Sequence, residues 1–203
     1  MKSKYLYIIA GWNGAGKTTA SFTVLPEILE CKEFVNADEI AKGLSPFQPE
    51  TVSFEAGRIM LERINTLLKQ NDNFSFETTL ATKSYKAKIV EAQQRGFQVV
   101  LLFFWLRSPK LAIERVKLRV IEGGHNIPEE VIKRRYFRGI VNLFERYLDI
   151  CDEWIIVDNS ELKYKIIAEG NKNETATIVD IEKWEGMNKL KDLNWKNRNN
   201  ESP

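Results

Sequence analysis

The chain has 203 residues, which is the length of one α/β domain with its own hydrophobic core. Lysine and arginine together number 30, and aspartate and glutamate 28, so the formal net charge of +2 gives no support to a nucleic-acid partner. No apolar run approaches the roughly 20 residues of a membrane span, and the two cysteines lie far apart, which favours a cytoplasmic protein with reduced thiols and no membrane partner.

Apolar, strand-like runs alternate with amphipathic segments, which is the pattern of an α/β protein with a parallel sheet flanked by helices. The five predicted strands are residues 5–10, 33–36, 74–77, 98–106 and 154–157. The predicted helices are residues 17–29, 50–70, 85–95, 109–121 and 128–150. Beyond Tyr164 the pattern weakens, and we predict an edge strand at 175–180 and a helix at 181–191. Residues 1–193 therefore form a single domain, and 194–203 a polar C-terminal tail.

Residues 11–18 read G-W-N-G-A-G-K-T and match the phosphate-binding pattern G-x-x-x-x-G-K-[ST] at every fixed position. A predicted strand leads into the motif and a predicted helix leads out, so backbone N–H groups and a helix N-terminus would face phosphate oxygens. Lys17 is expected to reach the β- and γ-phosphates of ATP, and the Thr18 hydroxyl to hold Mg²⁺. The predicted nucleotide-binding residues are Gly11, Asn13, Gly14, Ala15, Gly16, Lys17, Thr18 and Thr19.

The predicted fourth strand ends F-F-W-L-R at 103–107 without an aspartate, so it carries no ordinary Walker-B carboxylate. Asp38, by contrast, follows the predicted second strand, and the carboxyl ends of parallel strands meet at one edge of the sheet. There it would accept a proton from an acceptor hydroxyl or hold Mg²⁺ through water, which favours a kinase over a GTPase or motor ATPase. The alternative is that Asp38 only caps a turn at 38–41.

Glu77 ends the predicted third strand and is followed by Thr78 and Thr79. A carboxylate and two hydroxyls at the same edge of the sheet suit a polyhydroxylated substrate, so these three are the predicted substrate-binding residues. The alternative is an ordinary polar strand end.

Five arginines flank a glycine-containing loop at 122–128: Arg115, Arg119, Arg134, Arg135 and Arg138. A helix, a glycine loop and a second helix with arginines on both sides are typical of a lid, here at about 115–138, that closes over ATP. Its arginines would neutralise the charge of the transferring phosphoryl group. The alternative is a solvated charged face.

Four blocks then carry a resemblance to the zeta-toxin family of P-loop kinases: AGWNGAGKTT (10–19), FVNADEIAKGLSP (34–46), FSFETTLAT (74–82) and RVIEGGHNIPEEVIKRRYFRGIVNLF (119–144). The resemblance implies a P-loop NTPase fold of the nucleoside-monophosphate-kinase type, with a five-stranded parallel sheet and an arginine-rich helical lid. It implies transfer of a phosphoryl group from ATP, with Mg²⁺, to the 3′-hydroxyl of the amino sugar in UDP-N-acetylglucosamine. An antitoxin protein would be the partner.

The same resemblance assigns roles residue by residue. Lys17 and the base Asp38 would be catalytic, together with Arg119, Arg134 and Arg135 in the lid block. Glu77 and Thr79 would hold the sugar nucleotide.

Two other functions share this core. One is a regulatory module that binds and slowly hydrolyses ATP without passing the phosphate on. The other is a polynucleotide 5′-kinase, which needs a basic groove that the net charge does not favour.

Overall fold

A computed structural model describes residues 3–124 and 126–200, with side chains up to residue 192. Its strands are β1 (Lys4–Gly11), β2 (Glu33–Val35), β3 (Phe74–Thr78), β4 (Phe97–Trp105), β5 (Glu153–Asp158), β6 (Lys165–Asn171) and β7 (Thr177–Ile178). They form one sheet in the order β2-β3-β1-β4-β5-β6-β7. The pairs from β2 to β5 are parallel, whereas β6 and β7 pair antiparallel. The central strands β1 and β4 are almost wholly apolar and buried, as expected for a sheet covered on both faces.

The helices are α1 (Lys17–Glu27), α2 (Ala37–Leu44), α3 (Ser53–Gln70), α4 (Tyr85–Gln94), α5 (Pro109–Ile121), α6 (Glu129–Asn142) and α7 (Ile181–Asn200). A short 3-10 turn (Pro49–Val52) precedes α3, and a π-helical segment (Leu143–Tyr147) continues α6. Local chemistry sets several of these boundaries. Asn36 caps α2, accepting a hydrogen bond from the Asp38 amide at 2.8 Å, and the Ser108 hydroxyl caps α5, accepting one from the Leu111 amide at 3.2 Å.

The α/β fold class and all five predicted parallel strands are confirmed, but the predicted five-stranded sheet is wrong in number, because β6 and β7 extend it to seven. The predicted edge strand at 175–180 contains β7, whereas β6 was not predicted. The alternative considered for Asp38 was a turn at 38–41. In the structure these residues belong to the two-turn helix α2. The terminal helix runs to Asn200, past the predicted start of the polar tail. Residues 201–203 of that tail lie outside the described residues.

Two further expectations from composition concern the cysteines and membrane-spanning segments. Cys31 and Cys151 are both buried free thiols. No helix among the described residues has the length and apolar character needed to cross a membrane.

Helix α6 is fastened to the core along its length. The Tyr136 hydroxyl donates to the Leu106 carbonyl at 2.8 Å, just beyond the end of β4, and the Asn142 amide donates to the Leu80 carbonyl at 2.6 Å, just beyond β3. Gly139 allows the helix to come this close, because a Cβ added there would lie 2.8 Å from the Thr79 carbonyl oxygen. The second half of the predicted lid is therefore a packed helix of the core.

The close approach of α6 to the backbone at Gly139 leads to a prediction about two helical glycines, Gly139 and Gly57. Gly139→Ala should lower the free energy of unfolding by about 1–3 kcal/mol, because the methyl group forces the helix away from the backbone it packs on. Gly57→Ala in α3 is the matched control: nothing lies within 4 Å of its added Cβ, so alanine should stabilise by about 0.5–1 kcal/mol. Denaturant midpoints measure both. A Gly139→Ala protein as stable as the Gly57→Ala protein would contradict the packing described here.

Candidate functional site

Because β1, β2 and β3 are parallel neighbours in the sheet, their carboxyl ends lie together on one side of it. The phosphate loop (residues 11–18) follows β1, Asn36 follows β2, and Glu77 lies near the end of β3, opposite Ile9 of β1. In an open parallel sheet, the crevice outside the carboxyl ends of the strands is where ligands bind. The candidate site therefore lies on this side of the sheet.

The phosphate loop is held in a left-handed backbone conformation at two glycines. Gly14 and Gly16 both have φ of +78°, which residues with a Cβ rarely adopt. A Cβ at Gly16 would also lie 2.6 Å from the side-chain nitrogen of Asn159. That nitrogen donates to the Ala15 carbonyl at 2.8 Å, so the segment after β5 supports the loop from outside.

The Glu77 carboxylate is contacted by side chains from several parts of the site. Its Oε2 accepts a hydrogen bond from the Thr18 hydroxyl at 2.7 Å and another from the Asn36 amide at 2.9 Å. Its Oε1 lies 3.4 Å from Nζ of Lys17, and the two side chains are only 10% and 5% exposed. Lys17 also donates to the Trp12 carbonyl at 2.9 Å. A hydroxyl and a carboxylate this close present the oxygen ligands that Mg²⁺ prefers.

Asp38 lies one residue inside α2, half-buried, with its backbone amide bonded to Asn36. Two cavities meet at this point. The phosphate cavity, of about 230 Å³, is lined by the phosphate loop together with Arg115, Arg119 and Glu122. The second cavity, of about 170 Å³, is lined by Met60, Thr82 and Tyr85 together with Arg135 and the segment 77–79. Four residues line both cavities: Asn13, Lys17, Asp38 and Glu77.

Arg119 lines the phosphate cavity. Its Nε and Nη2 atoms are buried and make no hydrogen bond to any described residue. The Gly124 amide donates to the Arg119 carbonyl at 2.8 Å, and a Cβ on Gly124 would lie 2.8 Å from Cγ of Arg119, so the chain crosses directly over this side chain. Buried guanidinium N–H groups without a partner are costly, and an anion in the cavity would relieve that cost.

The other predicted arginines differ in their surroundings. Arg135 is half-buried and donates to the Asn13 side-chain oxygen at 3.2 Å. Burial lowers the pKa of Arg135, the Asp38 carboxylate opposes this effect, and the neighbouring charge of Arg134 adds to it. Arg134 itself is exposed. Arg115 is bound by backbone: its guanidinium donates to the Asn159 carbonyl at 2.7 Å and to the Ser160 carbonyl at 3.1 Å.

The structure thus brings together most of the residues that the sequence singled out. Gly14, Gly16, Lys17, Thr18 and Thr19 all line the phosphate cavity, and Glu77, Thr78 and Thr79 all line the second one. Gly11 ends β1, and Ala15 is buried within the loop.

Among the residues of the site that sequence reasoning missed are Asn36 and Asn159. Asn36 had a usable signal, because it ends the predicted second strand two residues before Asp38, where a helix cap would lie. Asn159 had none, because its contact with Ala15 crosses 144 residues of sequence.

Known proteins share this architecture. A family model described as Zeta toxin matches residues 1–172. An uncharacterized protein of Haemophilus influenzae is 29% identical over 136 residues, which cover 67% of this chain and 94% of the relative.

Two solved structures share the fold. A chain of the AvrRxo1-ORF1:-ORF2 complex with ATP superposes with a TM-score of 0.73 at 16% identity, covering 91% of this chain but only 63% of its own. The PezAT toxin–antitoxin system of Streptococcus pneumoniae superposes with a TM-score of 0.62 at 17% identity, covering 97% of this chain and 88% of its own. At such identities the likeness shows the fold alone, and it confirms the predicted P-loop kinase fold. Since the family model spans most of the sequence, the chain belongs to the zeta toxin family of P-loop kinases.

Proposed function

We propose that this protein transfers a phosphoryl group from ATP to a hydroxyl group of a small molecule. The observation that carries the proposal is that Asp38 lies on the wall shared by two cavities, one formed by the phosphate loop and one formed by other elements. A hydrolase needs only the first cavity and a water molecule. A kinase needs a separate place for its acceptor, with a base between acceptor and phosphate.

On the donor side, Lys17 and the loop amides would bind the phosphates, and Arg119 would pair with phosphate oxygens. Thr18 and Glu77 would hold Mg²⁺, since their oxygens already lie 2.7 Å apart. When bound, the ion neutralises phosphate charge during the transfer. No group of three or more His, Cys, Asp or Glu side chains that could hold a metal ion occurs among the described residues. Mg²⁺ is usually bound by one or two carboxylates and by the phosphates themselves.

On the acceptor side, Asp38 would accept the proton of the attacking hydroxyl, and Arg135 would stabilise charge on the transferring group. The threonine hydroxyls and the ring of Tyr85 suit a hydroxylated molecule with one apolar face. A separate, wider cavity of about 710 Å³ opens beside Lys42, one helical turn beyond Asp38, with Gly123, Gly124, Asn126 and Pro128 on its other wall. A cavity of this size is within the range that binds small molecules, and the acceptor would be a sugar nucleotide of the UDP-N-acetylglucosamine type.

Two further parts of the proposal are that the protein acts in the cytoplasm and that an antitoxin protein is its partner. Membership of the zeta toxin family and the likeness to the PezAT toxin–antitoxin system support the second. A regulatory ATPase and a polynucleotide 5′-kinase remain the competing functions.

The experiment that separates all three functions is a mass-spectrometric screen for phosphorylated products. Purified protein and Mg-ATP are incubated with either a metabolite mixture or 5′-hydroxyl oligonucleotides. A phosphorylated metabolite is the expected result. A phosphorylated oligonucleotide would favour the polynucleotide kinase, and ATP consumption without a phosphorylated product would favour the regulatory module.

Lys17→Ala tests the donor side. Loss of the ammonium group should weaken ATP binding by roughly 10- to 100-fold, because hydrogen bonds to charged groups are lost and Glu77 is left uncompensated. Isothermal titration calorimetry measures the affinity. Lys110→Ala, at an exposed lysine on α5, is the control and should bind as the wild type does. Equal affinities in the two folded variants would refute the phosphate-loop assignment.

Asp38→Asn tests the base. The substitution keeps the shape of the side chain but removes its basicity, so turnover should fall by roughly 10²–10⁴ while ATP affinity is retained. The rate is measured with the acceptor that the screen identifies. Glu39→Gln removes the adjacent, exposed carboxylate of α2 and should be nearly neutral. If Asp38→Asn turns over at the wild-type rate, another group takes the proton.

Glu77→Gln separates a metal role from an acceptor role. If Glu77 holds Mg²⁺, the Mg²⁺ concentration for half-maximal activity should rise by roughly 10- to 100-fold, with the acceptor KM little changed. Mg²⁺ and acceptor titrations of the same variant give both values. Glu33→Gln, at the opposite end of the sheet, is the control. A raised acceptor KM with an unchanged Mg²⁺ requirement would instead support the substrate-binding role predicted from sequence.

A further inference from the structure

We propose that Trp12 is a positioning residue for Arg135, because its indole fixes α6 against the phosphate loop. Trp12 occupies a variable position of the G-x-x-x-x-G-K-[ST] pattern. At such a position phosphate binding uses the backbone and does not depend on the side chain. Yet this chain places its largest type of side chain there and buries it completely. The consequences for turnover rest on the proposed function, whereas the consequences for the position of Arg135 do not.

The contacts of the indole point away from the nucleotide and toward α6. Its ring stacks on Tyr136, with the ring centroids 3.8 Å apart and the planes 20° from parallel. On another side it meets the edge of Phe103 of β4, with centroids 5.4 Å apart. A Cβ on Gly139, one turn along α6, would lie 3.1 Å from the indole nitrogen, so there is no room for the ring to move toward the helix. The indole is therefore wedged between the central sheet and α6.

Two consecutive residues of the loop pair with two consecutive residues of the helix. Trp12 stacks on Tyr136, and the next residue, Asn13, accepts the hydrogen bond of Arg135 at 3.2 Å. The guanidinium thereby reaches the wall of the second cavity. Because burial lowers the pKa of Arg135, its charged form is poorly solvated where it lies, and it stays there only if the helix is held in place. The stack on Tyr136, the residue next to Arg135, is one of the contacts that hold this part of the helix.

The indole nitrogen adds a further observation. It is buried and has no hydrogen-bond partner among the described residues, so the N–H group itself contributes nothing favourable. What the position requires is the flat ring. Phenylalanine supplies a ring without the unsatisfied N–H, whereas leucine or methionine supplies apolar volume without a ring.

The test compares the reactivity of individual arginines in the full-length protein without ligand. Phenylglyoxal, which modifies accessible guanidinium groups, is applied to the wild type and to Trp12→Leu, and peptide mass spectrometry gives the rate at each arginine. Arg135 should react several-fold faster in Trp12→Leu, with exposed Arg134 unchanged as the internal reference. Trp12→Phe should restore the wild-type protection. Trp154→Leu removes a buried tryptophan of β5 that stacks on Trp184 of α7, and it should leave Arg135 protected.

Three results would overturn the proposal: Arg135 as well protected in Trp12→Leu as in the wild type, Arg134 and Arg135 both reacting faster in Trp12→Leu, or Trp154→Leu exposing Arg135 to the same extent. If Trp12→Leu does not fold, Trp12→Met replaces it, because the flexible methionine side chain fills irregular gaps, and the same criteria apply.

Kinetics give a second and separable readout. Turnover in Mg-ATP should fall by roughly 10- to 100-fold in Trp12→Leu with the KM for ATP little changed, since a small misplacement of a catalytic group has effects of this size. Adding Trp12→Leu to Arg135→Ala should cause little further loss, because the tryptophan acts through that arginine. Additive losses would show that Trp12 acts by another route. If the wild type never turns over ATP, the proposed function fails, while the phenylglyoxal rates still decide the role of Trp12.

Discussion

Three elements of the fold meet on the carboxylate of Glu77. The Thr18 hydroxyl from α1 and the Asn36 amide from the end of β2 donate to it, and the Lys17 ammonium lies 3.4 Å away. Lysine and glutamate are both at least nine-tenths buried, so removing either would leave an uncompensated buried charge, at a typical cost of about 3–5 kcal/mol. The phosphate loop, β2 and β3 are therefore held in one relative position before any ligand binds.

The sequence was sufficient to predict the chemistry that depends on short spacings. The phosphate-loop pattern fixes Lys17 and Thr18 within eight residues, and the strand ends identify Asp38 and Glu77 as residues of the same edge. It was not sufficient to predict which strands are neighbours. Because β3 lies beside β1, its terminal carboxylate faces Thr18, whereas the sequence interpretation looked for a metal-binding carboxylate at the end of the fourth strand. Strand order is a long-range property that local patterns do not carry.

The C-terminal part was harder to predict for a different physical reason. In β6 only Ile167 and Ala168 are fully buried, and they are adjacent, so the strand shows neither the alternation of a half-buried strand nor the apolar run of a central one. α7 is mostly polar, but Met187 is buried and the Trp184 ring stacks on Trp154 of β5. These contacts help to dock a helix whose hydrophobic pattern is weak.

The two arginines nearest the site differ in how they are supported, and this bears on how such an enzyme stabilises charge. Arg135 comes from a helix that is bonded to the backbone beyond β3 and β4, so its position is set by the core. Arg119 is half-buried beside the phosphate cavity, and its buried Nε and Nη2 atoms have no hydrogen-bond partner among the described residues, so an anion there would supply one. Groups fixed in advance need no reorganisation during the reaction and therefore favour the transition state most. A site with one fixed and one ligand-dependent arginine can bind phosphate through the second and reserve the first for the charge that develops during transfer.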